Sequence, residues 1–294
     1  MKIGLIGAGA VGQSVGALLV ATGWCSEVMV ASGSETSARG LVTDLEDMTE
    51  VTGSPTRVTV GTPEAMGACD AIVLSPRARF TNTARSNVRM AGLVANGPLI
   101  VHLARQLTGY SGVAVMVTNP VDVLARVFAE RSGCERVVGI GAATDTARYR
   151  LTLARHLGVP VGAVDGHVIG EHGDAAVICA STTTVHRAPV TVPVQHVRDE
   201  LAARPRRISD GIGRTRLGPA GAVLGALAHS LGILDGLTEV SVRQEAGVWL
   251  GMPVHYTGGT PALCPPPLDD SETAQLAAAT EKLNAAYNHL TEEI

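Results

Sequence analysis

Within its first 22 residues the chain runs from a short apolar strand, across three glycines, into a helix, and no other segment restricts the fold so strongly. Lys2-Ile3-Gly4-Leu5-Ile6 is apolar, Gly7-Ala8-Gly9-Ala10-Val11-Gly12 follows at once, and Gln13 to Thr22 has helical periodicity. Each glycine has its own task. Gly7 permits a tight turn, Gly9 lets backbone approach a pyrophosphate, and Gly12 lets helix and strand pack closely. The N-terminus of that helix offers N–H groups with no partner inside the helix, which suit phosphate oxygens, and Ala10 and Val11 of the turn are expected beside the cofactor with the glycines. A strand, a GxGxxG turn and a helix in this order predict a dinucleotide-binding half.

The second strand, Glu27-Val28-Met29-Val30-Ala31, is expected to end on an Asp or Glu if the cofactor is NAD, because that carboxylate bonds the adenosine ribose hydroxyls. The chain instead reads Ala31-Ser32-Gly33-Ser34-Glu35-Thr36-Ser37, with Arg39 beyond. Ser32, Gly33 and Ser34 would not repel a 2′-phosphate, and Arg39 is a candidate charge partner for one. The segment leans toward NADP over NAD, and an inward-turned Glu35 would reverse that leaning.

Apolar strands recur at Ala71 to Leu74, Val113 to Val117 and Val137 to Ile140, with helical segments expected at Ala84 to Leu107 and Val121 to Arg131. Strands alternating with helices imply a parallel sheet covered on both faces. With 294 residues the chain is long enough for two domains, expected at 1–143 for the dinucleotide and 144–294 for the substrate. Ser241 to His255 reads as strands and Asp270 to Leu290 as a closing helix.

Composition excludes several classes. A net charge of -4 and 3% aromatic residues give neither a basic footprint nor a stacking platform, so no nucleic-acid partner is expected. No apolar run is long enough to span a bilayer, and Met1-Lys2-Ile3 leads into the first strand without a signal-peptide pattern. Cys25, Cys69, Cys134, Cys179 and Cys264 form no CxxC pair, so neither a metal site nor a disulfide framework is expected. Reduced thiols in a cytoplasm are the simplest reading.

The residues that carry chemistry lie past the midpoint of the cofactor half. Thr118-Asn119-Pro120-Val121-Asp122 ends a strand and starts a helix, where ligands of open α/β sheets sit. Asn119 can donate and accept, which suits an amide or a substrate oxygen; the same Asn-Pro step can equally be a plain turn. Asp145 and Arg148, three apart at a helix start, share a face. His172 lies in the Gly-flanked turn Ile169-Gly170-Glu171-His172-Gly173-Asp174. A histidine exchanges a proton near neutral pH, a buried carboxylate such as Asp145 would fix its tautomer, and the planar fork of Arg148 matches two carboxylate oxygens.

On Gly7-Ala8-Gly9-Ala10-Val11-Gly12, Thr118-Asn119-Pro120-Val121-Asp122, Gly141-Ala142-Ala143-Thr144-Asp145-Thr146-Ala147-Arg148 and Ile169-Gly170-Glu171-His172-Gly173-Asp174, the chain resembles the lactate/malate dehydrogenase family over nearly its full length. The resemblance implies a Rossmann-type doubly wound parallel sheet followed by an α+β substrate domain. It implies hydride transfer between a nicotinamide and C2 of a 2-oxo or 2-hydroxy carboxylic acid. His172 would carry the proton, Asp145 would orient it, Arg148 would bind the substrate carboxylate, and Asn119 would lie by the nicotinamide. A homodimer or homotetramer is implied too; without the arm that some tetrameric relatives place before the first strand, a dimer or an armless tetramer is expected.

Two segments depart from the family pattern. Ser75 to Arg89 stands where the family has a mobile loop with Lys-Pro-Gly, and that tripeptide is absent. The arginine that polarises the substrate carbonyl is best matched by Arg89, seven before Asn96, with Arg85 as runner-up; the specificity position falls near Thr83. Arg77 and Arg79 add charge that suits a second anionic group. Leu217-Gly218-Pro219-Ala220-Gly221-Ala222 replaces a Lys-Gly and a small hydroxyl residue, so Ala220 and Gly221 are expected to widen the substrate's side-chain pocket. Retained chemistry beside altered walls points away from pyruvate and oxaloacetate as best substrates. The alternatives are a reductase of a carboxylate-bearing imine or other carbonyl, and a non-catalytic nucleotide-binding homologue.

Overall fold

The computed structural model describes every residue except Arg85 and Ile294. Its strands are β1 (Lys2–Ile6), β2 (Glu27–Ala31), β3 (Arg57–Val60), β4 (Ala71–Leu74), β5 (Val113–Met116), β6 (Val137–Gly139), β7 (Val164–Asp165), β8 (Val168–Gly170), β9 (Ala176–Ile178), β10 (Thr184–Val185), β11 (Ala188–Pro189), β12 (Gly236–Arg243), β13 (Trp249–Thr257) and β14 (Thr260–Leu263). The helices are α1 (Ala10–Val20), α2 (Glu35–Thr52), α3 (Leu93–Gln106), α4 (Val121–Ser132), α5 (Gly141–Leu157), α6 (Val194–Ile212), α7 (Leu217–Ser230) and α8 (Asp270–Glu293).

Strands β1 to β6 pair in parallel in the order β3-β2-β1-β4-β5-β6. The winding reverses between β1 and β4, so the carboxyl ends of those strands frame a crevice for a ligand. Successive side chains leave opposite faces of a strand, and here both faces are apolar. Ile3, Leu5, Val28, Val30, Val73 and Val115 pack into one core with α1, α2 and α7. Ile6, Ile72, Leu74, Ala114 and Met116 pack into another with α3, α4 and α8. Burying one such Leu, Ile or Val is worth about 1.5–3 kcal/mol, so helices must cover both sides.

Past β6 the same sheet continues antiparallel through β12, β13, β8 and β9, with β14 also on β13. A small sheet of β11, β10 and β7 and a third core around Tyr149 and Leu153 complete the second half. The architecture is therefore a Rossmann-type parallel sheet followed by an α+β part. Among the described residues no helix is long and apolar enough to cross a membrane. All five cysteines are free thiols.

One helix is shorter than the periodicity of Ala84 to Leu107 predicts, since α3 begins only at Leu93. Ala84, Ser86, Asn87 and Val88 are exposed, so they bury no apolar face, and Asn87 takes a left-handed φ of 48° that ends regular winding. That stretch is a loop closing on a single 3-10 turn at Met90–Gly92. The stretch Ser241 to His255 is an antiparallel pair, β12 and β13, with a turn between.

Candidate active site

The crevice between β1 and β4 is shaped by its glycines. Gly7 has φ +115°, and a Cβ there would lie 2.7 Å from the Ser75 carbonyl oxygen. A Cβ on Gly12 would lie 1.9 Å from the Gly7 carbonyl oxygen, so only glycine lets α1 sit this close to β1. Gly9 is the opposite case, because nothing lies within 4 Å of where its Cβ would be. It is also the N-cap of α1, with no side-chain cap, so the first-turn amides around Ala10 and Val11 face that open space.

At the end of β2, Ser34 caps α2 by accepting from the Ser37 amide at 3.3 Å. Arg39 donates to Glu35 Oε1 through Nε and Nη2 at 3.0 and 2.7 Å, and both side chains are exposed. The guanidinium expected to meet a 2′-phosphate thus already has a carboxylate partner. Ser32 is half-buried and Gly33 faces open space.

Between β5 and α4, the Asn119-Pro120 peptide bond is cis. Asn119 keeps its Oδ1 buried without a partner, while its carbonyl accepts from Asn96 Nδ2 at 2.9 Å. Asn96 Oδ1 in turn accepts from the Ala78 amide at 2.9 Å, and Thr118 Oγ1 donates to the Pro76 carbonyl at 2.5 Å. One side chain, Asn96, therefore ties the loop after β4 to the turn after β5. A buried oxygen without a donor after β5, and an open glycine turn with uncapped amides after β1, fit a bound dinucleotide whose amide completes the hydrogen bonding.

The reacting groups come from α5, which begins directly beyond β6, and from the turn after β8. His172 Nδ1 lies 2.5 Å from Asp145 Oδ2. Arg148 Nη1 reaches Asp145 Oδ1 at 3.4 Å, and Arg89 Nη2 lies 3.8 Å from the same oxygen. Asp145 and Arg148 are buried. Gly141 makes room for the ring, since a Cβ there would lie 2.2 Å from His172 Cγ. Asp122, buried in the first turn of α4, accepts from the His172 amide at 2.8 Å. The imidazole is thus held through its ring by one carboxylate and through its backbone by another.

Charge in this site is unevenly shared. Burial, then the nearby Arg89 charge, push His172 below the ordinary histidine value despite Asp145. Burial alone would raise Asp145, but His172, Arg89 and Arg148 together hold it below the usual carboxylate range. Burial lowers Arg148 despite Asp145, and burial pushes Asp122 up to about 7. Asp145 is the shared anion, with the cationic groups arranged around it.

The structure brings His172, Asp145, Arg148 and Arg89 together. Arg85, the alternative to Arg89, lies outside the described residues. Thr83 is exposed, and Arg77 stacks on the Phe80 ring at 4.3 Å. Ala220, expected to widen the substrate pocket, is instead fully buried in the core between α7 and the sheet, because it faces inward with Val223 and Leu227. Gly221 is exposed with open space around it, and Gly218 approaches the buried Thr144, whose Oγ1 has no partner. Asp122 and Gly141 received no role from sequence; the acid one turn past Asn119 was visible, its target was not. Among the described residues no group of three or more His, Cys, Asp or Glu is placed to hold a metal ion.

Residues 1–141 match the NAD binding domain of lactate/malate dehydrogenases, and residues 143–205 match the alpha/beta C-terminal domain of the same family. The chain is 33% identical over 193 residues to the L-lactate dehydrogenase of Staphylococcus saprophyticus, a match covering 64% of this chain and 60% of that protein. It is 30% identical over 254 residues to the L-lactate dehydrogenase of Deinococcus radiodurans, covering 84% of this chain and 81% of the relative. The crystal structure of malate dehydrogenase from Plasmodium falciparum superposes with a TM-score of 0.90 at 18% identity, over 99% of both chains.

Proposed function

The chain belongs to the lactate/malate dehydrogenase family, and on that premise we propose that it is an NAD(P)-dependent dehydrogenase acting at C2 of a 2-oxo or 2-hydroxy carboxylic acid. The observation that carries the proposal is the 2.5 Å contact between His172 Nδ1 and Asp145 Oδ2, with Arg148 and Arg89 on the same carboxylate. A bound nicotinamide would supply the hydride in reduction and take it in oxidation.

The chain's own residues would do the rest. Asp145 fixes Nδ1 as the protonated nitrogen, which leaves Nε2 to exchange a proton with the C2 oxygen. Arg148 clamps the substrate carboxylate by its two-pronged fork. Arg89 stabilises negative charge growing on the C2 oxygen. Gly7, Gly9, Gly12 and the α1 amides would hold the pyrophosphate, and Asn119 would hold the carboxamide. Residues 1–143 would form the cofactor half and 144–294 the substrate half.

For the cofactor we favour NADP, because no carboxylate ends β2 and Gly33 faces open space there; Arg39 would have to leave Glu35 to meet a 2′-phosphate. For the substrate, the missing Lys-Pro-Gly and the open space at Gly221 support an acid other than pyruvate or oxaloacetate. A homodimer or homotetramer in the cytoplasm accords with the family and with five free thiols. The test is absorbance at the reduced-nicotinamide band, with NADPH and NADH in parallel, against 2-oxo acids from small to bulky and from mono- to dianionic. Oxidation with one acid fits the proposal; none across the panel contradicts it.

A further inference from the structure

Lys282, in the middle of α8, bridges two groups outside the set described above. Its Nζ donates to Glu171 Oε2 at 2.7 Å and to Asn87 Oδ1 at 2.6 Å. Glu171 is buried, and its Oε2 also accepts from the Ala175 amide at 2.8 Å. Gly173 makes this fold-back possible, because a Cβ there would lie 2.6 Å from Glu171 Oε1. The second anchor is Asp174, whose Oδ2 accepts from the Asn87 amide at 2.7 Å. Glu171 and Asp174 lie on either side of His172, and Asn87 is two residues from Arg89.

Among the described residues around Asn87, the other contact to the active site is Arg89 Nη2 to Asp145 Oδ1 at 3.8 Å, longer than the bonds of Asn87. Val88 is its large apolar side chain beyond Asn87, and it is 46% exposed. Its internal bonds, such as Asn82 Nδ2 to the Val88 carbonyl at 2.8 Å and the Met90 amide to the Asn87 carbonyl at 2.9 Å, shape the turn but do not dock it. α8, by contrast, is pinned to the main core by Leu283 and Leu290. At Asn87, docking is made by hydrogen bonds to the charged Lys282 and Asp174, the stronger class of such bonds.

Resting on the reading that Arg89 acts at the substrate carbonyl, we propose that Asn87, Lys282, Glu171 and Asp174 form a clasp that seats the Arg89 loop over His172. Lys282 and Asp174 are positioning residues, bonded to Asn87 and acting through it on Arg89. The neutral contacts of the C-terminal helix with the core thereby become part of how the active-site arginine is placed.

The test is hydrogen–deuterium exchange of peptides within residues 82–92 in the full-length chain without substrate, for wild type, Lys282→Met, Asp174→Asn and Lys282→Arg. Loop exchange should quicken about tenfold in Lys282→Met and Asp174→Asn and return close to wild type in Lys282→Arg, the scale of one charged hydrogen bond. Asp174 is exposed and its substitution leaves the Lys282–Glu171 pair intact, so it decides the matter if Lys282→Met loosens α8. In turnover, kcat/KM for the keto acid should fall about tenfold in both, with the cofactor KM unmoved. Unchanged loop exchange in both variants overturns the clasp. Faster exchange with unchanged kcat/KM overturns its part in placing Arg89. A wild type inactive on every 2-oxo acid removes the proposed function, while exchange still decides whether the clasp exists.

Discussion

The Nδ1 atom of His172 and the Oδ2 atom of Asp145 lie 2.5 Å apart although 27 positions separate the residues in the chain. They meet because α5 starts directly beyond β6 while β8 reaches the same sheet from the antiparallel side through β13. The contact joins the parallel part of the sheet to the α+β part at the point where chemistry would occur.

Asp145→Asn removes the charge and leaves the shape. The amide can turn its Nδ2 toward His172 and select the wrong tautomer, so kcat should fall by roughly 10²–10⁴ with little change in melting temperature. Steady-state kinetics beside a thermal melt measure both. A kcat within twofold of wild type would show that the carboxylate does not orient the ring.

Arg148→Lys keeps a positive charge but loses the planar fork. A point charge cannot bond two carboxylate oxygens in parallel, so KM for the acid should rise about 10–100-fold, from about 1.5–3 kcal/mol of lost charged hydrogen bonding. The KM for the nicotinamide cofactor should stay near wild type. An unchanged acid KM would remove Arg148 as the clamp.

Gly141→Ala places a methyl group 2.2 Å from His172 Cγ, so the ring must shift. A displacement near 1 Å at a reacting group costs about 10²-fold in rate. Turnover should fall by that order while cofactor binding, followed by fluorescence titration, persists. Loss of both together would point to unfolding instead.

Asp122 carries a pH signature. Burial raises it in the folded chain to about 7, above the ordinary Asp value it has when unfolded. The protonated acid is the form the fold tolerates, so its stabilising contribution is complete at low pH and is lost as pH rises toward 7. Asp122→Asn is blind to pH, so its stability relative to wild type should climb by ~2–4 kcal/mol between pH 4 and 7. Denaturant melts across that range read the difference, and parallel curves for the two proteins would contradict the shift.

What the sequence disclosed was local. Gly7, Gly9 and Gly12 follow a strand and open a helix, and each residue type carries its own physical reason there. His172, Asp145 and Arg148 stood out because their chemistry is uncommon in combination. What stayed hidden depends on distant pieces meeting. Asp122 binds a backbone amide 50 residues away, which no side-chain pattern records. Gly141 is needed only because a ring from another element sits against it. Ala84 to Arg89 read as helix because apolar periodicity resumes at once in α3, and the left-handed Asn87 interrupts it. Ala220 stands in a segment whose family pattern points to the substrate, yet packing turns it into the core.

The measurement closest to the central claim is kcat/KM against pH in both directions, once a 2-oxo acid and its 2-hydroxy partner are in hand. Reduction needs His172 protonated, so it should fall as pH rises through the histidine's value in the free enzyme. Oxidation needs it neutral, so it should fall as pH drops through that same value. Burial and the Arg89 charge place the shared value below that of an ordinary histidine. Two opposed limbs crossing at one depressed value, and absent in His172→Gln, are the expected result. Limbs that run the same way, or a His172→Gln enzyme with the wild-type profile, would contradict His172 as the proton carrier.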